Sequence, residues 1–159
     1  GNVVNLREIR KDLQNNGTLF QTSTDTEIII HLLAREKGDT LADKLEKVLQ
    51  KIEGAYSLIL LSPSEIIAAR DPHGIRPFCM GKLQDTIVFA SETCALDLLG
   101  AEYVRELNPG EMIVANVDGF YSKSFVEPHE SKHCIFEHIY FSRPDSKIFG
   151  KNVSRPNRV

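Results

Sequence analysis

The chain has no tryptophan, only three cysteines and no apolar run approaching the length of a membrane span. Each shortage removes a class of protein. A spanning helix needs roughly 18–20 consecutive apolar residues, and nothing at the start resembles a secretory leader. Cys79, Cys94 and Cys134 are odd in number and far apart, which makes a poor disulfide framework, and without a CxxC pair a self-contained zinc site is not expected. This usage suits a reducing cytoplasm. Positive charge is not in excess either: 19 Lys and Arg against 22 Asp and Glu leave a net charge of −3, scattered along the chain. A nucleic-acid partner would need a basic face, so neither nucleic acid nor membrane is an expected partner. GxSxG, P-loop and GxGxxG patterns are all missing. What remains is 159 residues with 42% apolar and 26% charged content, the balance of a soluble globular domain.

Helical signals come first. Leu6, Ile9 and Leu13 recur at helical spacing, with Asn5 placed to cap, Glu8 three residues on, and Gly17 a natural stop. TLFQT at 18–22 is short and β-prone. Ser23, Thr24 or Asp25 then caps a second helix through Ile28, Ile29, Leu32 and Leu33, and Leu41, Leu45, Val48, Leu49 and Ile52 mark a third. Beyond Gly54 the texture turns to strands. AYSLILL at 55–61 is so apolar that it predicts a strand covered on both faces. Strands are also expected at 66–69, 78–80, 87–90, 112–115 and 120–125, with a short helix over 92–99 ending at Gly100. Asn108-Pro-Gly-Glu111 reads as a tight turn and Asp118-Gly119 as a hairpin. EPHESK at 127–132 is the best linker, and CIFEHIYF at 134–141 is apolar and aromatic again, read as a strand-like segment. Connections between strands are too short for parallel crossovers, so the fold class is α+β with antiparallel strands.

The chemistry-bearing candidates are few. Asp25 in TSTDTE is most simply a helix N-terminal carboxylate, favoured by free N–H groups and the helix dipole; the functional reading is a fixed carboxylate that receives a substrate ammonium group. Gly1 could lend a backbone N–H to an oxyanion hole, as could any accessible loop glycine. RDPHGIRPF at 70–78 packs two arginines, an aspartate, two prolines and a glycine into a stiff corner. Its simpler reading is structural: Asp71 accepts hydrogen bonds from its own turn, Arg70 and Arg76 pair with nearby carboxylates, and Gly74 supplies a positive φ. The sharper reading has one arginine binding substrate. His31 and His73 lack a partnered nucleophile, and His129, His133, His138 and Cys134 do not repeat a closed zinc pattern.

GNVVN, TSTDTE, GAYSLILL, ARDPHGIRPF, ASETCALDLLGAEYVRELNPGEM and CIFEHIYFSRPDS occur in this order. Together they resemble the amidophosphoribosyltransferase family, glutamine-dependent enzymes that open purine biosynthesis. The resemblance runs from Gly1 to about Val153. The ARDPxGIRP pattern followed by ASE is similar to one shared more widely among N-terminal-nucleophile amidotransferases, asparagine synthetases included, and CIFEHIYFSRPDS decides for the narrower family. The resemblance implies a four-layer αββα glutaminase domain with two antiparallel sheets between helices. It implies an N-terminal cysteine nucleophile activated by its own α-amino group, with an Asn side chain and a Gly N–H holding the oxyanion. It places Gly1 as that glycine and Asp25 on the α-ammonium of glutamine. Arg70, Asp71, Gly74 and Arg76 are implied to border and shape the pocket, with no catalytic role.

The family's nucleophilic cysteine lies well upstream of the oxyanion glycine, and neither it nor the arginine for the glutamine carboxylate is in this sequence. The expectation is therefore a fragment: residues 1–131 a partial glutaminase domain, 132–159 a linker and the first segment of a phosphoribosyltransferase domain, inactive by itself. The implied partners of the parent enzyme are glutamine and phosphoribosyl pyrophosphate, with Mg2+ bound outside this chain and a homo-oligomeric assembly. In an iron–sulfur subgroup of the family a cysteine at the position of Cys134 ligates a [4Fe–4S] cluster; the alternative is a small buried hydrophobe. Two other functions stay open: the glutaminase half of another amidotransferase, such as an asparagine synthetase-like protein, and a nonenzymatic interaction module that kept the fold.

Overall fold

The computed structural model describes residues 2–127 and 129–153. The chain divides into two compact units, Gly1–Tyr56 and Ser57–Val159.

In the first unit β1 (Asn2–Val3) pairs antiparallel with β2 (Gly54–Ala55), so the two ends of the unit lie side by side. Between them come helices α1 (Leu6–Asn15), α2 (Asp25–Arg35) and α3 (Leu41–Leu49), with α2 against both of the others. Leu6, Leu13, Ile28, Ile29, Leu33, Ala42, Leu45, Val48 and Leu49 are the buried residues of their inward faces. Helix α3 starts with a complete capping box: Thr40 Oγ1 accepts from Asp43 N, and the Asp43 carboxylate accepts from Thr40 N. Asn5 does not cap α1 as its position suggested. Its amide instead donates to Lys51 O and its oxygen accepts from Glu53 N, because a side chain that ties the helix start to a distant segment satisfies two main-chain groups at once. Residues 18–22 form no strand and pair with none of the strands among the described residues, so β propensity there goes unused.

The second unit holds two sheets. β3 (Ser57–Leu61), β4 (Glu65–Arg70), β8 (Glu111–Asn116) and β9 (Gly119–Ser124) form one, in the order β3-β4-β8-β9. β5 (Cys79–Leu83), β6 (Thr86–Ala90) and β7 (Glu102–Glu106) form the other, in the order β6-β5-β7. All pairings are antiparallel, and residues 116–119 make the expected hairpin turn between β8 and β9. The sheets face each other through Ala68 and Ile113 on one side and Phe78, Met80 and Leu107 on the other, closed by Ile87 and Phe89. Helix α4 (Thr93–Leu99) covers the outer face of the three-stranded sheet, where Leu96 and Ala101 meet Cys79, Val88 and Tyr103. Gly81 permits that approach: a Cβ there would lie 2.9 Å from both the Leu96 side chain and Glu102 O. Sheet, sheet and helix are thus three of the four expected layers.

The strand buried on both faces is not 55–61. β3 is an edge strand whose Ile59 and Leu61 are exposed, while Ile67, Ala68 and Ala69 of β4 and Met112, Ile113 and Val114 of β8 are fully buried. An unbroken apolar run marks burial of some kind, but position within the sheet decides which strand receives it. Residues 134–141 correct a second expectation. From residue 135 on they are helical, ending in a π-type turn over Glu137–Phe141 closed by Ser142 N to Glu137 O at 3.1 Å.

Candidate functional site

Asp25 is the first residue of α2. Its carboxylate is exposed and has no hydrogen bond or ion pair among the described residues. Thr24 occupies the cap position in extended conformation without a side-chain cap bond. Order in the preceding loop comes from Glu27, in the first turn of the helix. Its carboxylate accepts from Gln21 N at 2.7 Å, Thr22 N at 2.8 Å and Thr22 Oγ1 at 2.7 Å. These bonds, the one from Gln21 N foremost, pull its pKa down to about 2. On the other side Arg10 donates to Thr22 O at 2.6 Å while its guanidinium lies 4.1 Å over the Phe20 ring. Phe20 in turn meets His31 edge-on at 4.9 Å. The loop is held from both flanks, and Asp25 stands at its end uncommitted. Gly1, the other residue placed at this site by the sequence, lies outside the described residues.

The corner that follows β4 is built in the opposite way. Asp71 is fully buried; its Oδ1 accepts from His73 N at 2.9 Å and its Oδ2 from Ile75 N at 3.1 Å. Its carbonyl accepts from Gly74 N and Gly110 N, both at 3.0 Å, which joins the corner to the 108–111 turn. Arg70, 2% exposed, donates to Arg76 O, Gly74 O and Leu107 O and lies 3.5 Å from Glu106. Burial lowers its pKa, and Glu106 works against that shift. Gly74 has φ +58°, and a Cβ there would come 2.9 Å from Pro109 Cγ and 3.3 Å from the Arg70 guanidinium. The structural reading of the corner therefore describes what these side chains do: they satisfy one another and the turn.

This corner and the ASET segment also grip residues 132–147. Lys132 N donates to His73 O and Cys134 N to Ile75 O, a short main-chain ladder along the corner. Arg76 meets the buried Glu137 at 2.5 Å and lies 4.5 Å over the Phe141 ring, and Ser142 Oγ donates to the other Glu137 oxygen. The bond to Glu137 raises the Arg76 pKa. Glu92 accepts from Arg143 N and Ser146 Oγ, and Thr93 Oγ1 from Lys147 N. β10 (Lys147–Ile148) and β11 (Lys151–Asn152) then form a hairpin that places Phe149 against His133, stacked at 3.8 Å. Glu27 and Glu137 are the two residues that sequence reasoning missed. Glu27, at the third helical position after a Ser/Thr-rich loop, carried a capping-type signal; Glu137, 61 residues from Arg76, carried none.

With the geometry set out, comparison with known proteins gives the class. Residues 1–98 match the glutamine amidotransferase domain, and the chain belongs to that family. Its fold class is accordingly that of the N-terminal-nucleophile hydrolases, α+β with antiparallel sheets. Over its whole length it is 45% identical to amidophosphoribosyltransferase 2, chloroplastic, of Arabidopsis thaliana, covering 28% of that protein. It is 45% identical to the amidophosphoribosyltransferase of Bacillus subtilis over 96% of this chain and 32% of the relative. The solved structure of glutamine phosphoribosylpyrophosphate (PRPP) amidotransferase from B. subtilis, complexed with ADP and GMP, superposes with a TM-score of 0.93 over 96% of this chain and 33% of that one. The chain thus spans about a third or less of the relatives it matches.

No three His, Cys, Asp or Glu side chains among the described residues are grouped to hold a metal ion. Cys134 is half-buried and offers one thiolate at most, so these residues do not make up an iron–sulfur site. Cys79 is buried, donates to Ala90 O and is pushed up to about 12 by burial, the reverse of an activated nucleophile. No helix among the described residues is long and apolar enough to cross a membrane.

Proposed function

We propose that this chain is the glutaminase scaffold of an amidophosphoribosyltransferase. In the parent enzyme glutamine is hydrolysed to glutamate and ammonia, and the ammonia displaces pyrophosphate from phosphoribosyl pyrophosphate to give 5-phosphoribosylamine for purine synthesis. The observation that carries this reading is where the similarities end. The general amidotransferase match stops at residue 98, whereas the likeness to amidophosphoribosyltransferases extends over the whole chain. The stretch beyond residue 98 contains CIFEHIYFSRPDS, which Arg76, Glu92 and Thr93 of the preceding region hold in place.

In this reading Asp25 receives the α-ammonium of glutamine, and its exposed, unpartnered carboxylate supports the role. The Gly1 N–H stabilises the oxyanion. Arg70, Asp71, Gly74 and Arg76 hold the frame of the second unit and take part in no chemical step. The glutaminase part comprises residues 1–131, and 132–159 lead into the phosphoribosyltransferase part, where the nucleotide substrate and Mg2+ bind. Cys134 serves there as a cluster ligand only if the remaining three thiolates come from that part. The working enzyme is a cytoplasmic homo-oligomer. None of Cys79, Cys94 and Cys134 is N-terminal, so a polypeptide of residues 1–159 alone does not turn over glutamine.

The test is product analysis on the full-length protein supplied with glutamine, phosphoribosyl pyrophosphate and Mg2+. Glutamate and pyrophosphate in equal amounts are expected. Glutamate without pyrophosphate would assign another amidotransferase, and the absence of both would leave a nonenzymatic module.

A further inference from the structure

We infer that Glu27 is a positioning residue for glutamine, acting through Asp25 by way of Thr22 and Thr24; the inference rests on the role proposed for Asp25. The first turn of α2 carries two carboxylates, Asp25 and Glu27, and they are in contrasting states. Glu27 is saturated by two main-chain N–H groups and a hydroxyl. Asp25 is bare. A cation arriving at this helix start therefore meets one available carboxylate, and its charge is not divided between two.

The connection from Glu27 to Asp25 is continuous. Thr22 Oγ1 donates to Glu27, accepts from Thr24 N at 3.2 Å and pairs with Thr24 Oγ1 at 2.8 Å. Thr24 is the cap residue, so this relay sets the backbone from which Asp25 emerges. It also ties the Thr24 hydroxyl to Thr22 and Thr26, away from the helix N–H groups, which receive no side-chain cap. Free N–H groups at a helix start attract the nearest carboxylate. If the loop at 21–24 loosened, Asp25 would be free to turn inward and cap its own helix, withdrawing from a ligand. Glu27 prevents this by holding the loop. A misplacement of about 1 Å in such a contact is enough to cost on the order of a hundredfold in an enzyme.

A double-mutant cycle in the full-length protein tests the inference, with glutamine KM and kcat, melting temperature, and discrimination against a glutamine analogue lacking the α-amino group. Glu27→Gln turns one acceptor into a donor facing a backbone N–H. We expect it to raise glutamine KM about tenfold with kcat falling less than about threefold, and to erode discrimination against the analogue to a similar degree. Thr22→Val, which leaves both main-chain bonds to Glu27, should raise KM by a smaller factor in the same direction. In Asp25→Asn, adding Glu27→Gln should raise KM no further, since the route it acts through is already lost. Multiplying effects in the double variant would overturn the inference, as would Glu27→Gln and Thr22→Val lowering kcat and melting temperature while KM and discrimination hold. An unchanged KM in Asp25→Asn itself would overturn both this inference and the role of Asp25.

Discussion

Asp25 and Asp71 each stand inside one of the most distinctive motifs of the chain, one in each unit, and they are built for different purposes. Asp71 is fully buried and its oxygens accept from the main-chain groups of its own corner, beside an arginine that spans three carbonyls. Asp25 is exposed at a helix start and its oxygens are unused among the described residues. A carboxylate whose acceptors are consumed internally supports the fold, and one presented by a braced loop without partners is available to a ligand. Residue type and motif do not separate the two; the count of satisfied acceptors does.

The sharpest way to break this contrast is to remove Asp71. Asp71→Ala leaves two half-buried N–H groups unpaired beside a buried guanidinium and should lower stability by about 3 kcal/mol, measured by denaturant unfolding. A loss under about 0.5 kcal/mol would place Asp71 outside the framework. Arg76→Met should come next, at about 2 kcal/mol, because it strands the buried Glu137. Hydrogen exchange at 134–142 should accelerate in that variant, and unchanged protection there would show that Arg76 does not hold the segment. The smallest effect sharpens the other side of the comparison. Glu27 is lowered to about 2 from an ordinary 4.5, so the unfolded chain binds the extra proton between those values and stability rises with pH across that window. The bracing by Glu27 is fully present above about pH 4.5 and is lost as the pH falls towards 2. The acid limb of the unfolding curve should therefore flatten in Glu27→Gln.

Much of this was legible in the sequence, for physical reasons that differ by element. The Asp118-Gly119 hairpin, the 108–111 turn, the helix ending at Gly100 and the positive φ of Gly74 follow from local backbone chemistry, and all four are present. The hydrogen bonds within RDPHG were legible for the same reason, since an Asp two residues before an N–H closes its own turn. What failed depended on tertiary context. The run at 55–61 has no alternation from which an edge could be told from a centre, and TLFQT looked like a strand but has no partner edge. The aromatic content of 134–141 hid a helical turn that the Arg76–Glu137 pair stabilises. Strand β7 went unnoticed because Tyr103 and Val104 stand among charged residues.

The most direct test of the central claim is the glutamine KM of Asp25→Asn in the full-length protein, with its melting temperature recorded alongside. An exposed carboxylate without partners should cost the fold less than about 0.5 kcal/mol, while loss of the ammonium contact should raise KM by ten- to a hundredfold, about 1.4–2.7 kcal/mol. An unchanged KM at unchanged stability would contradict the account, since Asp25 would then hold neither the substrate nor the fold.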